Sequence, residues 1–283
     1  MKFIKTTFLA LALALSASQA TFAQALKVPA PSPAQTIKQA FALSEITIDY
    51  SRPSAKGRVI YGDLVPFGKI WRTGANNATK ITFGEDVKVE GLDVKAGTYA
   101  IYTIPNKDSW EIMLYKDLTL GGDVAAYKKE NELLRFVVKP GALNDKVETF
   151  AINVCDMTSS TANIELLWEK TKVSFKVSAD IDSKIMKAID ANVIKDNKPY
   201  YQAARYYYDT DKDLIQAGLW ADKAMEANPK AYWIVLLKAK IQLKAGDKKG
   251  AATTAQQVIT LAKEDKNEDY VKMGQEVIDA SKK

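Results

Sequence analysis

The stretch TKVSFKV, residues 171–177, alternates apolar and polar side chains one by one. In an extended chain, Val173, Phe175 and Val177 point to one face and the residues between them point to the other. This period of two is typical of a β-strand that is buried on one side. After residues 178–180 the apolar spacing becomes helical, so the stretch marks the end of a β-domain.

The same alternation recurs upstream. The segments NIELLW (163–168) and SWEIML (109–114) place apolar side chains on one face, and TYAIYTIP (98–105) and VETFAINV (147–154) read as strands covered on both faces. Glycine- and proline-containing turns separate these segments. About ten short strands divided by frequent turns predict an antiparallel β-sandwich over residues 36–178.

From Ile181 onward, apolar residues recur at helical spacing to the C-terminus. A shift of about 34 residues brings Ala251 onto the position of Ala217, and this is the period of tetratricopeptide repeats. Small residues at such positions let paired helices approach closely. We therefore predict an all-α, tetratricopeptide-like domain over residues 181–283, with a plain helical bundle as the alternative. The predicted fold class is α+β.

The N-terminus has the layout of a secretory signal. Lys2 and Lys5 precede an apolar run, and small residues follow it. The run is shorter than the about 20 apolar residues that span a bilayer. We expect a signal peptide over residues 1–23 and a proline-rich lead-in over residues 24–35. The protein is thus predicted to be periplasmic or secreted and to have no membrane span.

The absence of histidine excludes several chemistries. Ser-His-Asp and Cys-His catalysis and histidine-ligated zinc all require it, and we predict neither a metal nor a cofactor. Cys155 is the single cysteine and cannot form an internal disulfide, so we expect a core thiol. General acid–base catalysis would then use carboxylates, lysine or tyrosine, and a glycosidase needs two opposed carboxylates. The acidic residues in or near the predicted turns are Asp63, Glu85, Asp86, Glu111 and Asp123.

Positive charge is concentrated in the segment SRPSAKGRVIYGDLVPFGKIWRTGANNATKI, residues 51–81. Between residues 52 and 72, Asp63 is the only acidic residue. The basic residues there are Arg52, Lys56, Arg58, Lys69 and Arg72. Such a local field attracts anions. There is no tract of successive basic residues, so nucleic acid is not a predicted partner.

The residue types in this segment suit a polar ligand. Arginine guanidinium groups match carboxylate, phosphate and sulfate groups, and Trp71 is able to stack on a sugar. The candidate ligand-binding residues are Tyr50, Arg52, Lys56, Arg58, Trp71, Arg72, Asn76 and Asn77. The alternative is that the same arginines and the tryptophan fasten a long loop to the sandwich through backbone carbonyl groups.

Three blocks of this region resemble a known family. YSRPSAKGR (50–58), IYGDLVPFGKIWRTGANNAT (60–79) and KAGTYAIYTIP (95–105) are similar to the signature blocks of the bacterial domain of unknown function 2911. The resemblance runs from about residue 31 to residue 177. It implies a secreted or periplasmic all-β domain, common in Bacteroidetes and often followed by helical repeats, with no established activity. Asn77 stands where the family more often has an acidic residue.

These observations favour a non-catalytic binding module for a saccharide or a small anionic ligand. A histidine-free, carboxylate-dependent hydrolase acting on glycans is one alternative. A second alternative is a scaffold that contacts envelope proteins through the helical domain.

Overall fold

The fold was determined from a computed structural model, which describes residues 28–193 and 199–283. The predicted signal peptide, residues 1–23, lies outside the described residues. The chain forms two compact units, with the boundary between Ala179 and Asp180. The first contains two antiparallel sheets and the second contains helices, so the predicted α+β class is confirmed.

The first sheet has six strands in the order β1-β2-β3-β6-β7-β8. They are β1 (Ala34–Phe41), β2 (Ser44–Ser51), β3 (Thr79–Phe83), β6 (Gly97–Pro105), β7 (Trp110–Tyr115) and β8 (Glu132–Val138). The second sheet has four strands in the order β5-β4-β10-β9. They are β4 (Val87–Val89), β5 (Leu92–Val94), β9 (Gly141–Cys155) and β10 (Thr161–Ser178). These ten strands match the predicted number.

The alternating residues form the core of this unit. Val173, Phe175 and Val177 of β10 are all buried, as their period of two predicts. Aromatic side chains of the two sheets contact each other, because Phe136 of β8 lies 5.5 Å from Phe175, measured between ring centroids. The buried faces of the two sheets therefore contribute to a common core.

A long excursion, residues 52–78, joins β2 to β3 and is fastened to both sheets. Near its start, the Ala55 amide donates to the Glu148 carbonyl oxygen at 2.8 Å, which adds this segment to the edge of β9. Near its end, Trp71 exchanges two backbone hydrogen bonds with Thr103 of β6. The excursion is thus held at two places that belong to different sheets.

A second connection, residues 116–131, joins β7 to β8 and lies against the six-stranded sheet. The Tyr102 hydroxyl of β6 donates to the Gly121 carbonyl oxygen at 2.9 Å. The Tyr115 hydroxyl accepts from the Lys128 amide at 3.1 Å and from Asn131 Nδ2 at 3.3 Å. Tyrosine hydroxyl groups of two strands therefore fix both ends of this connection.

The described residues of the second unit, 180–193 and 199–283, form six helices. They are α1 (Asp182–Asn192), α2 (Tyr200–Asp209), α3 (Leu214–Ala227), α4 (Tyr232–Lys244), α5 (Lys248–Glu264) and α6 (Glu268–Ser281). Ala217 and Ala251, which the 34-residue shift aligns, are both fully buried. Within the described parts of the chain, no helix combines the length and apolar character needed to cross a bilayer. The tetratricopeptide assignment stays a prediction.

Candidate functional site

The excursion 52–78 encloses a cavity of about 320 Å³ in the first unit. Most of the residues that line it belong to the excursion, and a few come from elsewhere in the sheet unit. The lining residues are Ser32, Pro53, Arg58, Leu64, Val65, Pro66, Lys69, Ile70, Trp71, Arg72, Gly74, Ala75, Val124 and Trp168. This volume is at the small end of the range found for ligand sites.

The charge of the cavity lining is entirely positive. Arg58, Lys69 and Arg72 line the cavity, and no acidic side chain does. Tight turns present two of them, because Gly57 and Gly68 precede Arg58 and Lys69 with φ of +74° and +69°. Glycine adopts this left-handed conformation without a steric penalty. The glycine spacing of the excursion therefore helps to set where its cations lie.

The guanidinium group of Arg58 is held by backbone carbonyl groups along one edge. Its Nε donates to the Ala55 carbonyl oxygen at 3.0 Å, and its Nη2 donates to the Ser54 carbonyl oxygen at 2.7 Å. Nη1 has no protein acceptor among the described residues. Arg58 therefore combines a fixed position with N–H groups at the end of its guanidinium group that are available to a ligand.

Arg72 has fewer protein partners than Arg58. Its Nη1 makes a long contact of 3.4 Å to the Gly122 carbonyl oxygen. Its Nε is buried and has no hydrogen-bond acceptor in the described parts of the chain. Buried polar groups of native proteins nearly always have a partner, and an exception often marks a water or an ion. Arg72 is thus a buried donor that lacks an acceptor.

The backbone next to Arg72 adopts an unusual conformation. Thr73 is fully buried and has φ of +55°, which is rare for a β-branched residue. Its hydroxyl donates to Thr103 Oγ1 at 3.2 Å, and the Thr79 amide donates to the Arg72 carbonyl oxygen at 3.1 Å. Residues in such conformations persist only where their surroundings hold them, and they cluster at functional sites.

Lys69 is the cation that the predicted ligand-binding set did not include. Its side chain is exposed, and its ammonium group has no hydrogen bond or ion pair to any described residue. Two features of the sequence are consistent with Lys69 as a ligand-binding residue: the excess of positive charge in its segment and the glycine, Gly68, that precedes it. Neither feature distinguishes Lys69 from a solvated surface lysine.

Trp71 lines the cavity but is largely buried, with 9% of its surface exposed. Its ring stacks on Trp168 of β10 with centroids 5.9 Å apart, and its Nε1 donates to the Gly74 carbonyl oxygen at 3.0 Å. Tyr61 packs edge-on against both rings. Burial, with a smaller contribution from Glu169, raises the pKa of Tyr61 above its usual value. Trp71 is therefore part of an aromatic cluster that forms one wall.

Two other predicted residues make hydrogen bonds to the sheets and do not line the cavity. Arg52 Nε donates to the Phe150 carbonyl oxygen of β9 at 3.0 Å. The Tyr50 hydroxyl accepts from the Ile152 amide and donates to Gln35 Oε1, both at 3.0 Å. The structure therefore separates Arg52 from Arg58 and Arg72.

The remaining predicted residues also lie outside the cavity lining. The backbone amide of Lys56 donates to Glu148 Oε1 at 2.6 Å, and the Lys56 side chain is exposed. Asn76 Nδ2 donates to Ser51 Oγ at 3.1 Å, and Asn77 is exposed. Of the eight predicted residues, the cavity brings together Arg58, Trp71 and Arg72.

The five carboxylates considered for hydrolysis do not line the cavity. They are Asp63, Glu85, Asp86, Glu111 and Asp123. Glu111 pairs with Arg135, and Asp86 pairs with Lys95 at 2.7 Å. Asp123 accepts from the Ala125 amide at 3.1 Å and caps a short turn. Glu85 Oε1 accepts from the Leu43 amide at 2.9 Å, so contacts give four of these carboxylates structural roles.

A second cavity of the first unit, of about 350 Å³, shares no residue with the first. Lys107 and Lys170 line it, together with Tyr61, Asn106 and other residues, and no acidic residue does. Its cations are flexible lysines, and it contains no arginine held by backbone groups. It is therefore a useful internal comparison for the first cavity.

One cluster of potential metal ligands occurs among the described residues, formed by Cys155, Asp156 and Glu165. Burial, followed by the charge of Glu165, raises the pKa of Cys155 to about 11. The thiol therefore gives up its proton less readily than an ordinary cysteine, and a metal would have to displace that proton. Both carboxylates already have partners, since Asp156 accepts from Asn163 and Glu165 pairs with Lys172.

The fold and the cavity together define a domain of two antiparallel sheets with a cationic cavity in a long inter-strand excursion, followed by helices. Residues 32–177 match the family described as a protein of unknown function, DUF2911, and this match covers more than half of the chain. The chain therefore belongs to that family, and no family match covers the helices. No curated protein and no solved structure matches it.

Proposed function

We propose that the protein is a periplasmic or secreted binding module that takes a small anionic ligand, such as an acidic saccharide, into the cavity of the excursion 52–78. One observation carries this proposal. Arg58, Lys69 and Arg72 line the same cavity, and no acidic residue accompanies them. An uncompensated positive cavity with apolar walls concentrates anions, since the low-dielectric walls strengthen the local field.

The binding test uses variants that remove charge from the cavity lining. In the variant Arg58→Gln/Lys69→Gln/Arg72→Gln, we expect the affinity for inorganic phosphate and for glucuronate to fall by at least about tenfold, because charge-assisted hydrogen bonds are lost. Titration calorimetry at low ionic strength measures the affinity, and Trp71 in the wall makes intrinsic fluorescence a second readout. Glucose serves as the neutral comparison ligand.

The matched control is Lys107→Gln/Lys170→Gln, which removes cations from the second cavity. It should bind both probes as the unchanged protein does. If the unchanged protein binds neither phosphate nor glucuronate, or if both sets of substitutions weaken binding equally, the proposed function is wrong. Thermal unfolding of each variant separates loss of binding from loss of fold.

The location outside the cytoplasm rests on the N-terminal sequence alone. Cell fractionation tests it, together with mass spectrometry of the mature N-terminus. We expect a chain that begins after Ala20, Ala23 or Ala25. Recovery of the intact N-terminus from the cytoplasmic fraction would contradict this part of the proposal.

A second candidate function, contact with another protein, is favoured by a groove of about 300 Å³ in the helical unit. Trp233 of α4 and Met273 of α6 line the groove and are 44% and 38% exposed. Arg205 and Lys240 also line it, together with Asp209. Exposed aromatic and methionine side chains are enriched at protein interfaces. We propose that the groove takes a polypeptide segment with apolar side chains and a net negative charge.

Photo-crosslinking in living cells tests this second function. A benzophenone amino acid at Trp233 should give one discrete adduct with a partner protein. The same group at the exposed Lys248, at the start of α5, should not. Identical adducts at both positions, or none at Trp233, would argue against a docking role.

A further inference from the structure

We infer that Arg72 anchors the ligand of this cavity through the Nε–Nη2 edge of its guanidinium group, so that the site selects oxyanions with two neighbouring oxygens. This inference rests on the proposed function and makes it more specific. It assigns different roles to two arginines that the sequence treats alike.

The hydrogen bonds of Arg72 leave one whole edge of its guanidinium group without a protein acceptor. Nη1 lies on the same side of the planar group as Cδ, and this nitrogen contacts the Gly122 carbonyl oxygen. Nε and Nη2 lie on the opposite edge, and their N–H bonds are parallel. Neither has an acceptor within the described residues, and Nη2, unlike Nε, is not buried. Two parallel donors are the fork that holds a carboxylate or phosphate in a bidentate manner.

Arg58 shows the reverse arrangement. Its Nε–Nη2 edge is the one that the Ala55 and Ser54 carbonyl oxygens occupy. Both N–H bonds of Nη1 and the second N–H of Nη2 remain for a ligand, so Arg58 is limited to contacts from the end of the group. Lys69 supplies a point charge with no preferred plane. Of the three cations, Arg72 alone has an Nε–Nη2 edge that no protein acceptor occupies.

The position of Arg72 is fixed by two pieces of backbone that approach closely. A Cβ on Gly122 would lie 2.3 Å from the Asn76 carbonyl oxygen and 3.4 Å from Arg72 Cδ. Gly122 therefore allows the 116–131 connection to approach both the Arg72 side chain and the turn after it. Thr73, held at positive φ, fixes the chain on the other side of Arg72. An anchor needs this kind of support, because a mobile guanidinium group loses the geometric advantage of its fork.

The ligand class follows from this geometry. Carboxylate, phosphate and sulfate groups present two oxygens side by side to the fork, whereas a monatomic anion such as chloride meets only one donor well. The remaining cations, Arg58 and Lys69, favour further acceptor oxygens on the body of the ligand. We expect a compact organic molecule that carries at least one such oxyanion group.

Paired charge-conserving substitutions test the inference. Arg72→Lys keeps the positive charge but removes the fork, so affinity for phosphate and for glucuronate should fall by about tenfold or more. Arg58→Lys should lower the affinity less than about threefold, because the Nε–Nη2 edge of Arg58 serves the Ala55 and Ser54 carbonyl groups and not the ligand. Preference for phosphate over chloride should disappear in Arg72→Lys and persist in Arg58→Lys. Calorimetry with each of the three anions measures these affinities for the two variants and for the unchanged protein.

A measurement on the unchanged protein covers the case in which Arg72→Lys fails to fold. In a protein labelled with ¹⁵N at arginine Nε, addition of phosphate should shift the Nε–H resonance of Arg72 and slow its exchange with water. The Nε–H resonance of Arg58, already bonded to Ala55, should change little. Assignment uses the Arg58→Lys protein.

The outcomes distinguish the two proposals. If the unchanged protein binds neither probe, the proposed function fails and the inference fails with it. If the protein binds phosphate but Arg72→Lys and Arg58→Lys weaken binding equally, or if the Arg72 Nε–H resonance does not respond, the cavity binds anions and the assignment of Arg72 is wrong. A larger loss in Arg72→Lys, or a selective response of its resonance, supports it.

Discussion

Arg52 and Arg58 have the same chemistry and stand in the same glycine-rich segment, yet the fold gives them different tasks. Arg52 reaches the Phe150 carbonyl oxygen, 98 residues further along the chain. Arg58 bonds carbonyl groups three and four residues before it and lines the cavity. Composition and local charge do not distinguish these cases, because the deciding partner of Arg52 belongs to a distant strand.

The cavity lies in the segment that the charge excess and the glycine spacing indicate, and part of the predicted set lines it. That these residues bind a ligand stays a prediction. The sequence does not separate Tyr50 and Arg52 from the cavity residues, since their backbone partners are in β9. It also does not distinguish Lys69 from a solvated surface lysine.

The structural role of Arg52 leads to a stability prediction. Arg52→Met keeps the apolar stem and removes the hydrogen bond to Phe150. A charge-assisted bond to a partly buried carbonyl contributes about 1 to 2 kcal/mol to the free energy of unfolding, and we expect that loss. Urea unfolding measures it. Lys56→Met removes the same charge from an exposed side chain and should change stability by less than about 0.5 kcal/mol. Equal losses in both variants would show that charge, and not the bond, matters.

At the level of elements, periodicity predicted the strands well and the connections poorly. The period of two in β10 follows from the alternation of buried and exposed side chains, so a local pattern carries that information. Gly121 and Gly122 stand in one of the glycine-containing turns between strands. In the structure this turn lies close to Arg72 and Asn76, and the Gly121 carbonyl oxygen accepts a hydrogen bond from the Tyr102 hydroxyl. No short stretch of sequence predicts such contacts, because they join two connections that are far apart in the chain.

The attachment of the 116–131 connection to β6 predicts a dependence of stability on pH. Burial raises the pKa of Tyr102 to about 12, with smaller contributions from Tyr115 and Asp117. In the unfolded chain this phenol ionises near its usual pKa of about 10. In the folded state the phenol therefore keeps its proton up to a higher pH. Its contribution to the free energy of unfolding is complete below about pH 10 and is lost as the pH rises to about 12.

We expect Tyr102→Phe to flatten this decline, although the variant is less stable at neutral pH because the bond to Gly121 is gone. Urea midpoints at pH 9 and pH 11 measure the difference in slope between the two proteins. The slope of Tyr208→Phe, a substitution in the helical unit, should equal that of the unchanged protein. A parallel decline in the Tyr102→Phe protein would show that other groups cause the effect.

At the scale of the whole molecule, each unit contains its own apolar clusters. The helical unit has two clusters, and all their residues lie between residues 185 and 278. A cluster of the sheet unit, around Tyr102 and Tyr115, draws only on residues between 70 and 127. A unit that completes its core from its own residues meets the main requirement for folding alone.

We therefore predict that residues 28–179 form a stable domain that keeps the anion-binding properties of the full chain. Circular dichroism should show a cooperative loss of β-structure on heating, and calorimetry should give the same affinity for phosphate as the full protein. Residues 180–283 are the matched comparison and should bind no phosphate. A fragment 28–179 that aggregates, or that folds but needs the helices to bind, would contradict the prediction.

The double attachment of the excursion has a consequence for how the protein folds. Its bond from Arg52 to β9 and its pairing with β6 join parts of the chain that are far apart in sequence. Contacts between residues that are far apart in sequence require the closure of long loops, which costs conformational entropy. They therefore form late in folding, after the local hairpins. The cavity is then among the last parts of the domain to assemble. Ligand retention would therefore report completed folding more strictly than secondary structure does, and a partly folded chain that already has its hairpins would bind nothing.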